Sequence, residues 1–408
     1  MLNVLKAIIG KCLYQLAKLS PRNKHKAVFG CHHNLFSDNS KYLFLHWSQS
    51  QFIRAIWISG NHRLVEQLRL SGHEAYVRWS LQGVFHSLTA KYVCYSSYVG
   101  DVNQYLTGGT FKINLWHGSP LKQIEHDIEH GTLASTYRPI GIVNRFMTEL
   151  FHHQEYVRPD LMLSPSPLVD ALFSSAFRIS HEQILRSGYP RTDYFADAQA
   201  SYAIPKVKPL HSPAIKLADY QRVVLYAPSF RDNISTDENP YVNVIDWLNL
   251  SHELVASNTL LLIRCHPNER HLAEALAQQP NIIDISHRED VYDLLPYLDL
   301  LITDYSSLYI DALQFQVPLA FFQFDKDSYL TKSRAQYEYA EHMRLPGIEI
   351  HNSEAFIHIA AKGRHGRFGE RDQITSTATQ TQDYQLAKQL YWQQQQTSFE
   401  VLHKAITI

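Results

Sequence analysis

The chain has 408 residues, with 38 lysines and arginines against 39 aspartates and glutamates, and 45% of it is apolar. That is the length of about two ordinary domains, with apolar residues enough for cores that need no disulfide or metal staple. The net charge of −1 supplies no general basic field, so no nucleic-acid partner is expected and any attraction for a phosphorylated ligand must be local.

The first 26 residues stand apart. Leu2, Leu5, Ile9, Leu13 and Leu16 recur at helical spacing among Lys6, Lys11, Lys18, Arg22, Lys24 and Lys26, with no acidic residue between them. The pattern predicts an amphipathic basic helix over 1–26, either lying on an anionic membrane surface or docked on the protein. No run is long enough to cross a bilayer. The cysteines Cys12, Cys31, Cys94 and Cys265 form no CxxC pair and read as reduced thiols of a cytosolic protein. The pairs His32-His33 and His152-His153 lack metal-ligand spacing, so no metal and no cofactor are expected.

From Ala27 the chain alternates strands and helices. Strands are predicted at Ala27–Gly30, Phe52–Ile58, Ala75–Val77, Lys91–Tyr95 and Phe111–Leu115, with helices over Leu64–Leu70 and Val84–Leu88. The pattern loosens from Leu121 to Arg158, then resumes with a strand at Asp160–Ser164, a helix over Leu168–Phe177 and a strand at Ile184–Gly188. Residues 196–220, with Pro205, Pro209 and Pro213, read as a linker. Beyond it strands are predicted at Arg222–Pro228, Leu260–Pro267, Asn281–Ile285, Leu298–Asp304 and Pro318–Phe322, and a long helix over about Asp383–Lys404. This gives an α/β protein with doubly wound, Rossmann-like domains at 27–195 and 221–382 and a C-terminal helix in 383–408. Parallel strands buried on both faces place ligands beyond their carboxyl ends, in a cleft.

Polar residues collect at those ends. In Trp116-His117-Gly118-Ser119-Pro120-Leu121-Lys122, Ser119 and Pro120 look like the start of a helix. His117 would lie on the turn before it, able to take a proton at neutral pH, with Lys122 adding charge. Arg264 and His266 flank Cys265 and would share one face of their strand. Asp304-Tyr305-Ser306-Ser307 ends another strand before a helix over Leu308–Phe315. There the serine hydroxyls either cap the helix or cradle a phosphate, and Asp304 orders the turn. Ala227-Pro228-Ser229-Phe230-Arg231-Asp232 forms a third such end, with Arg231 available for phosphate.

Together with Gly188-Tyr189-Pro190-Arg191-Thr192-Asp193, these motifs occur in an order that resembles the CDP-glycerol glycerophosphotransferases, the teichoic-acid primases and polymerases of bacteria. The resemblance runs from about Ala27 to Gly347. It implies a GT-B fold with two Rossmann-like domains facing a central cleft, and peripheral attachment to the cytoplasmic face of the membrane. It also implies transfer of phosphoglycerol, or a related phosphopolyol, from a CDP-polyol donor to a polyol-phosphate or glycan acceptor on a lipid carrier, with release of CMP. His117 then matches the catalytic base. His266 joins it at the chemistry, with Arg264, Asp304, Ser306, Ser307, Ser229 and Arg231 on the donor side, and Ser119, Lys122 and Arg191 on the acceptor side. Ser119 stands where threonine is usual, and Ser333-Arg334-Ala335-Gln336-Tyr337 follows the family's Arg-Gly-aromatic stretch only loosely. The polymer need not be a teichoic acid, since the family also serves capsule and lipopolysaccharide. A GT-B glycosyltransferase using a nucleotide sugar, an epimerase of the same architecture and a membrane-surface binding module stay open as other readings.

Overall fold

The computed structural model describes residues 2–196, 215–231, 240–266, 269, 273–274, 276–332, 335–362 and 378–407. Most of the predicted linker (197–214) and Ser333-Arg334 lie outside the described residues. The chain divides into two units: Met1–Val207 together with Trp392–Ile408, and Lys208–Tyr391.

Unit 1 carries a seven-stranded sheet, in spatial order β3-β2-β1-β4-β5-β6-β7. The strands are β1 (Asn23–Phe29), β2 (Arg54–Ser59), β3 (Ala75–Val77), β4 (Ala90–Tyr95), β5 (Phe111–Asn114), β6 (Leu161–Ser164) and β7 (Ile184–Arg186). Every pair is parallel. Val28, Ile56, Ile58, Val93 and Tyr95 pack into one buried cluster. Each such aliphatic side chain contributes about 1.5–3 kcal/mol by leaving water. Helix α1 (Leu2–Ala17) precedes the first strand, and helix α2 (Asp38–Ser50) connects β1 to β2.

Unit 2 repeats the plan in six strands, β10-β9-β8-β11-β12-β13. They are β8 (Arg222–Tyr226), β9 (Thr259–Ile263), β10 (Ile282–Asp284), β11 (Leu300–Thr303), β12 (Leu319–Phe322) and β13 (Ile348–Ile350), again all parallel. Val224, Leu261, Ile302 and Ala320 lie in its buried core. Each sheet grows outward in both directions from its first strand. The strand order therefore reverses between β1 and β4 in unit 1 and between β8 and β11 in unit 2, the position where doubly wound sheets bind ligands.

Four sequence expectations need correction. No helix begins at Ser119-Pro120: the backbone from Leu115 to Ile124 is a loop that leads to a short 3-10 turn at Glu125–Asp127. The segment between the strands predicted at Ala27–Gly30 and Phe52–Ile58, where no helix is predicted, carries α2 at 38–50. Strand β9 stops at Ile263, so Arg264 and His266 stand in the following loop and not on one strand face. The C-terminal stretch is two helices, Ala378–Tyr391 and Ser398–Thr407, broken at 392–397. The second packs on unit 1, where Phe399 stacks on His46 and Asp193 accepts from the Ser398 hydroxyl and amide at 2.6 and 2.7 Å.

Candidate active site

In unit 1, the loops that leave β1, β4 and β5 meet at the switch point. His117 is exposed there, stacked on Trp116 at 4.1 Å between ring centroids. Its Nδ1 lies 2.9 Å from the Ser96 carbonyl and 3.5 Å from the Ser97 hydroxyl. A carbonyl can only accept, so Nδ1 carries the proton and Nε2 holds the lone pair, as a general base requires. The turn is shaped by Trp116 at φ 50° and Gly118 at φ 129°, the latter a conformation that favours glycine. Asn114 pins it from below, its Oδ1 accepting from the Trp116 amide at 2.9 Å.

The acceptor of the His117 bond is itself held. The Asp101 carboxylate takes the amides of Ser96 and Ser97 at 3.2 and 2.9 Å. Burial pushes its pKa up to about 7, with those amides pulling the other way. His32 lies in the loop after β1, its ring against His33 at 3.9 Å. Its pKa is lowered by burial and by the charges that His33 and His117 would carry. Sequence reasoning missed Asn39, Ser40, Ser96, Asp101 and His32 as neighbours of His117, because only the parallel sheet brings these three loops together.

The predicted acceptor residues separate. Ser119 is buried and its hydroxyl has no hydrogen-bond partner among the described residues, while Lys122 is half-buried. Arg191 is 1% exposed. Its guanidinium meets Asp38 at 2.7 Å and lies over the Tyr189 ring. The enclosed guanidinium joins the Pro190–Ala196 helix to α2.

In unit 2, the corresponding switch point gathers Ser229, Arg231, Asp304, Ser306 and Ser307. Arg231 is enclosed in the same way. It is buried, with a two-pronged pair to Asp325 at 3.0 and 3.1 Å and a bond to Asp304 at 2.5 Å. The rings of Tyr241, Tyr305, Phe324 and Tyr329 surround it at 5.2–5.5 Å. Burial opposes its charge, and Asp304, Tyr241 and Asp325 more than offset that, so its pKa is raised. Glu269, in the loop after β9, accepts from the Arg231 amide at 3.4 Å, and burial pushes its pKa up to about 7. Arg231 thus ties together the loops after β8, β9, β11 and β12.

Asp304 orders its turn as expected: one oxygen accepts from the amides of Ser229 and Tyr305 at 2.8 and 2.5 Å. Ser306 accepts from the Leu308 amide at 3.3 Å, while Ser307 makes no side-chain cap bond. His266 is exposed beside the Phe230 ring at 4.6 Å. Arg264 is half-buried, its amide bonded to the Tyr226 carbonyl at 2.9 Å. Among the described residues, no group of three or more His, Cys, Asp or Glu side chains is placed to hold a metal ion.

Two all-parallel Rossmann-order units, each with polar groups gathered at its switch point, make this a GT-B-like protein. The sequence profile of the CDP-glycerol:poly(glycerophosphate) glycerophosphotransferases matches residues 12–390. The chain belongs to that family of enzymes. It is 28% identical over 365 residues to the teichoic acid glycerol-phosphate transferase of Staphylococcus aureus (strain NCTC 8325 / PS 47), covering 87% of this chain and 88% of that one. It is 31% identical over 239 residues to a teichoic acid poly(glycerol phosphate) polymerase of Staphylococcus epidermidis, covering 58% of this chain and 31% of that longer protein. Among solved structures, the wall teichoic acid polymerase TagF superposes with a TM-score of 0.73 at 22% identity, over 100% of this chain and 96% of the other, a likeness of fold.

Proposed function

We propose that this enzyme moves phosphoglycerol, or a closely related phosphopolyol, from a CDP-linked donor to a hydroxyl of a polyol-phosphate acceptor on a lipid carrier, in the assembly of a cell-surface polymer. The acceptor oxygen attacks the β-phosphorus in line. The new O–P bond forms as the bond from that phosphorus to the bridging oxygen breaks, and CMP leaves. His117 Nε2 takes the hydroxyl proton. Arg264, His266, Ser306 and Ser307 hold the pyrophosphate and offset the charge that builds on the departing CMP. The observation that carries the reading is the His117 tautomer, set by the Ser96 carbonyl at a switch point in a chain of this family.

The test is incubation with a panel of CDP- and UDP-linked glycerol, ribitol and sugar donors, with and without a polyol-phosphate acceptor, while nucleotide release is followed. Acceptor-dependent release of CMP from a CDP-polyol is expected, and it should persist in EDTA. Release from nucleotide sugars alone would replace the reading with glycosyl transfer.

The membrane surface belongs to the same proposal. Among the described residues no helix is long and apolar enough to cross a membrane. Helix α1 is docked by its small side: Ala7, Gly10 and Ala17 are buried, and a Cβ on Gly10 would stand 2.3 Å from the Tyr105 ring. Its larger residues, Leu2, Leu5, Ile9, Leu13 and Leu16, stay exposed beside Lys6 and Lys18. The neighbouring helix Ile142–Phe151 exposes Ile142, Val143 and Phe146. Docking and lipid contact are thus compatible, one on each face of α1. Leucines flanked by lysines suit an anionic bilayer, where apolar burial and charge act together. Full-length protein should sediment with vesicles containing anionic lipid, and a variant with Leu5, Ile9 and Leu16 changed to serine should remain largely in the supernatant. Equal sedimentation of the two would remove the proposal.

A further inference from the structure

The first turn of α2 grips both ends of the hydrogen bond that orients His117. On the histidine side, Asn39 Nδ2 donates to the carbonyls of Leu115 and Trp116 at 3.2 and 2.8 Å. Those two carbonyls immediately precede His117, and Trp116 holds a left-handed backbone (φ 50°) that a bulky residue keeps only when its surroundings enforce it. On the acceptor side, the Ser40 hydroxyl and amide meet the Ser96 hydroxyl at 2.8 and 3.2 Å. The carbonyl of that same Ser96 accepts the hydrogen bond from His117 Nδ1–H. Asn39 and Ser40 are both fully buried. The clamp is anchored in turn, since Asn39 Oδ1 accepts from the Arg191 amide at 3.1 Å and Arg191 pairs with Asp38.

We infer that Asn39 and Ser40 are positioning residues for His117, fixing its ring direction and its Nδ1–H tautomer by holding the loops after β4 and β5 in register. The inference rests on His117 as the proton acceptor. Asparagine is needed because one side chain must donate twice to carbonyls and accept once from an amide. Aspartate has the same shape and keeps the acceptor, but it turns both donor contacts into a carboxylate facing carbonyl oxygens. Orientation errors of this kind lower turnover without touching donor affinity, because the misplaced group is the one that receives the acceptor's proton.

The experiment compares the full chain with its Asn39→Asp, Ser40→Ala and His117→Gln variants. Two quantities are read: steady-state transfer from CDP-glycerol, and the nitrogen-15 shifts of the His117 ring, assigned by their loss in His117→Gln. The unaltered chain should show one tautomer with the proton on Nδ1. Asn39→Asp should lower kcat by about 10–100-fold, leave the KM for CDP-glycerol within about twofold, and give His117 shifts of mixed tautomers. Ser40→Ala should move both readouts the same way by a smaller amount, and it carries the test if Asn39→Asp does not fold. Turnover that falls while the His117 shifts stay unchanged would overturn the inference, as would unaltered turnover. A His117→Gln chain that turns over normally would instead remove the base assignment, and the ring shifts of the other variants would still decide the clamp.

Discussion

Transfer should fall by about 10²–10⁴-fold when His117 is replaced by alanine or glutamine, if its role is to remove the acceptor proton. The imidazole is presented at a switch point with Nδ1 committed to the Ser96 carbonyl, so the group lost is a base already in the right tautomer. Binding of CDP, measured by calorimetry on the same variants, should survive, because the residues proposed to hold the pyrophosphate are in unit 2. Glutamine tests shape, since it fills part of the imidazole volume without a titratable nitrogen. Near-native turnover from a folded His117→Ala chain would assign proton removal to another group. Parallel loss of turnover and CDP affinity would make His117 a donor ligand.

The other large effect is expected at Arg231, and on stability. Replacing it with methionine keeps much of the packing against Tyr241, Tyr305, Phe324 and Tyr329 but leaves Asp304 and Asp325 without their cation. Removing one member of a buried ion pair costs about 3–5 kcal/mol, mostly because a charge is left unpaired in a dry site. Arg231→Lys should recover little of it, since one ammonium cannot bond Asp304 and both oxygens of Asp325 together. Hydrogen exchange in peptides covering β8 and β11 would read the loss within unit 2 itself. Unchanged exchange with a selective loss of CDP affinity would return Arg231 to the phosphate role that its sequence position suggests.

The contrast between Arg231 and His117 shows what could be read from the sequence. Apolar runs such as Val223–Tyr226 and Leu260–Ile263 signal buried parallel strands directly, and polar residues after them mark the switch points. His117 comes just after such a strand, so its place was legible. The partners of Arg231 were not: Asp304 and Asp325 are 73 and 94 residues away, and nothing local distinguishes a guanidinium that binds phosphate from one that ties loops. Ser119-Pro120 carries a helix-start signature without a helix, and Ser119 is buried among tertiary contacts that override the local preference. Helix α2 was hidden by Tyr42-Leu43-Phe44-Leu45, four consecutive buried residues that blur helical period. Strand β13 is three residues long with only Ile350 buried, too little to register against a loop.

The return of helix Ser398–Thr407 to unit 1 has a bearing on how the chain is made. Unit 1 includes Trp392–Ile408, so all of Lys208–Tyr391 is an insertion within it. During synthesis the ribosome delivers the seven strands of unit 1 first, and then the whole of unit 2. Only afterwards do the residues emerge that cover His46 and Phe52 and satisfy Asp193. Domains generally fold in order of emergence, yet here the first to appear is the last to close. Until all of unit 2 has been translated, the nascent chain lacks the helix that covers these residues of unit 1.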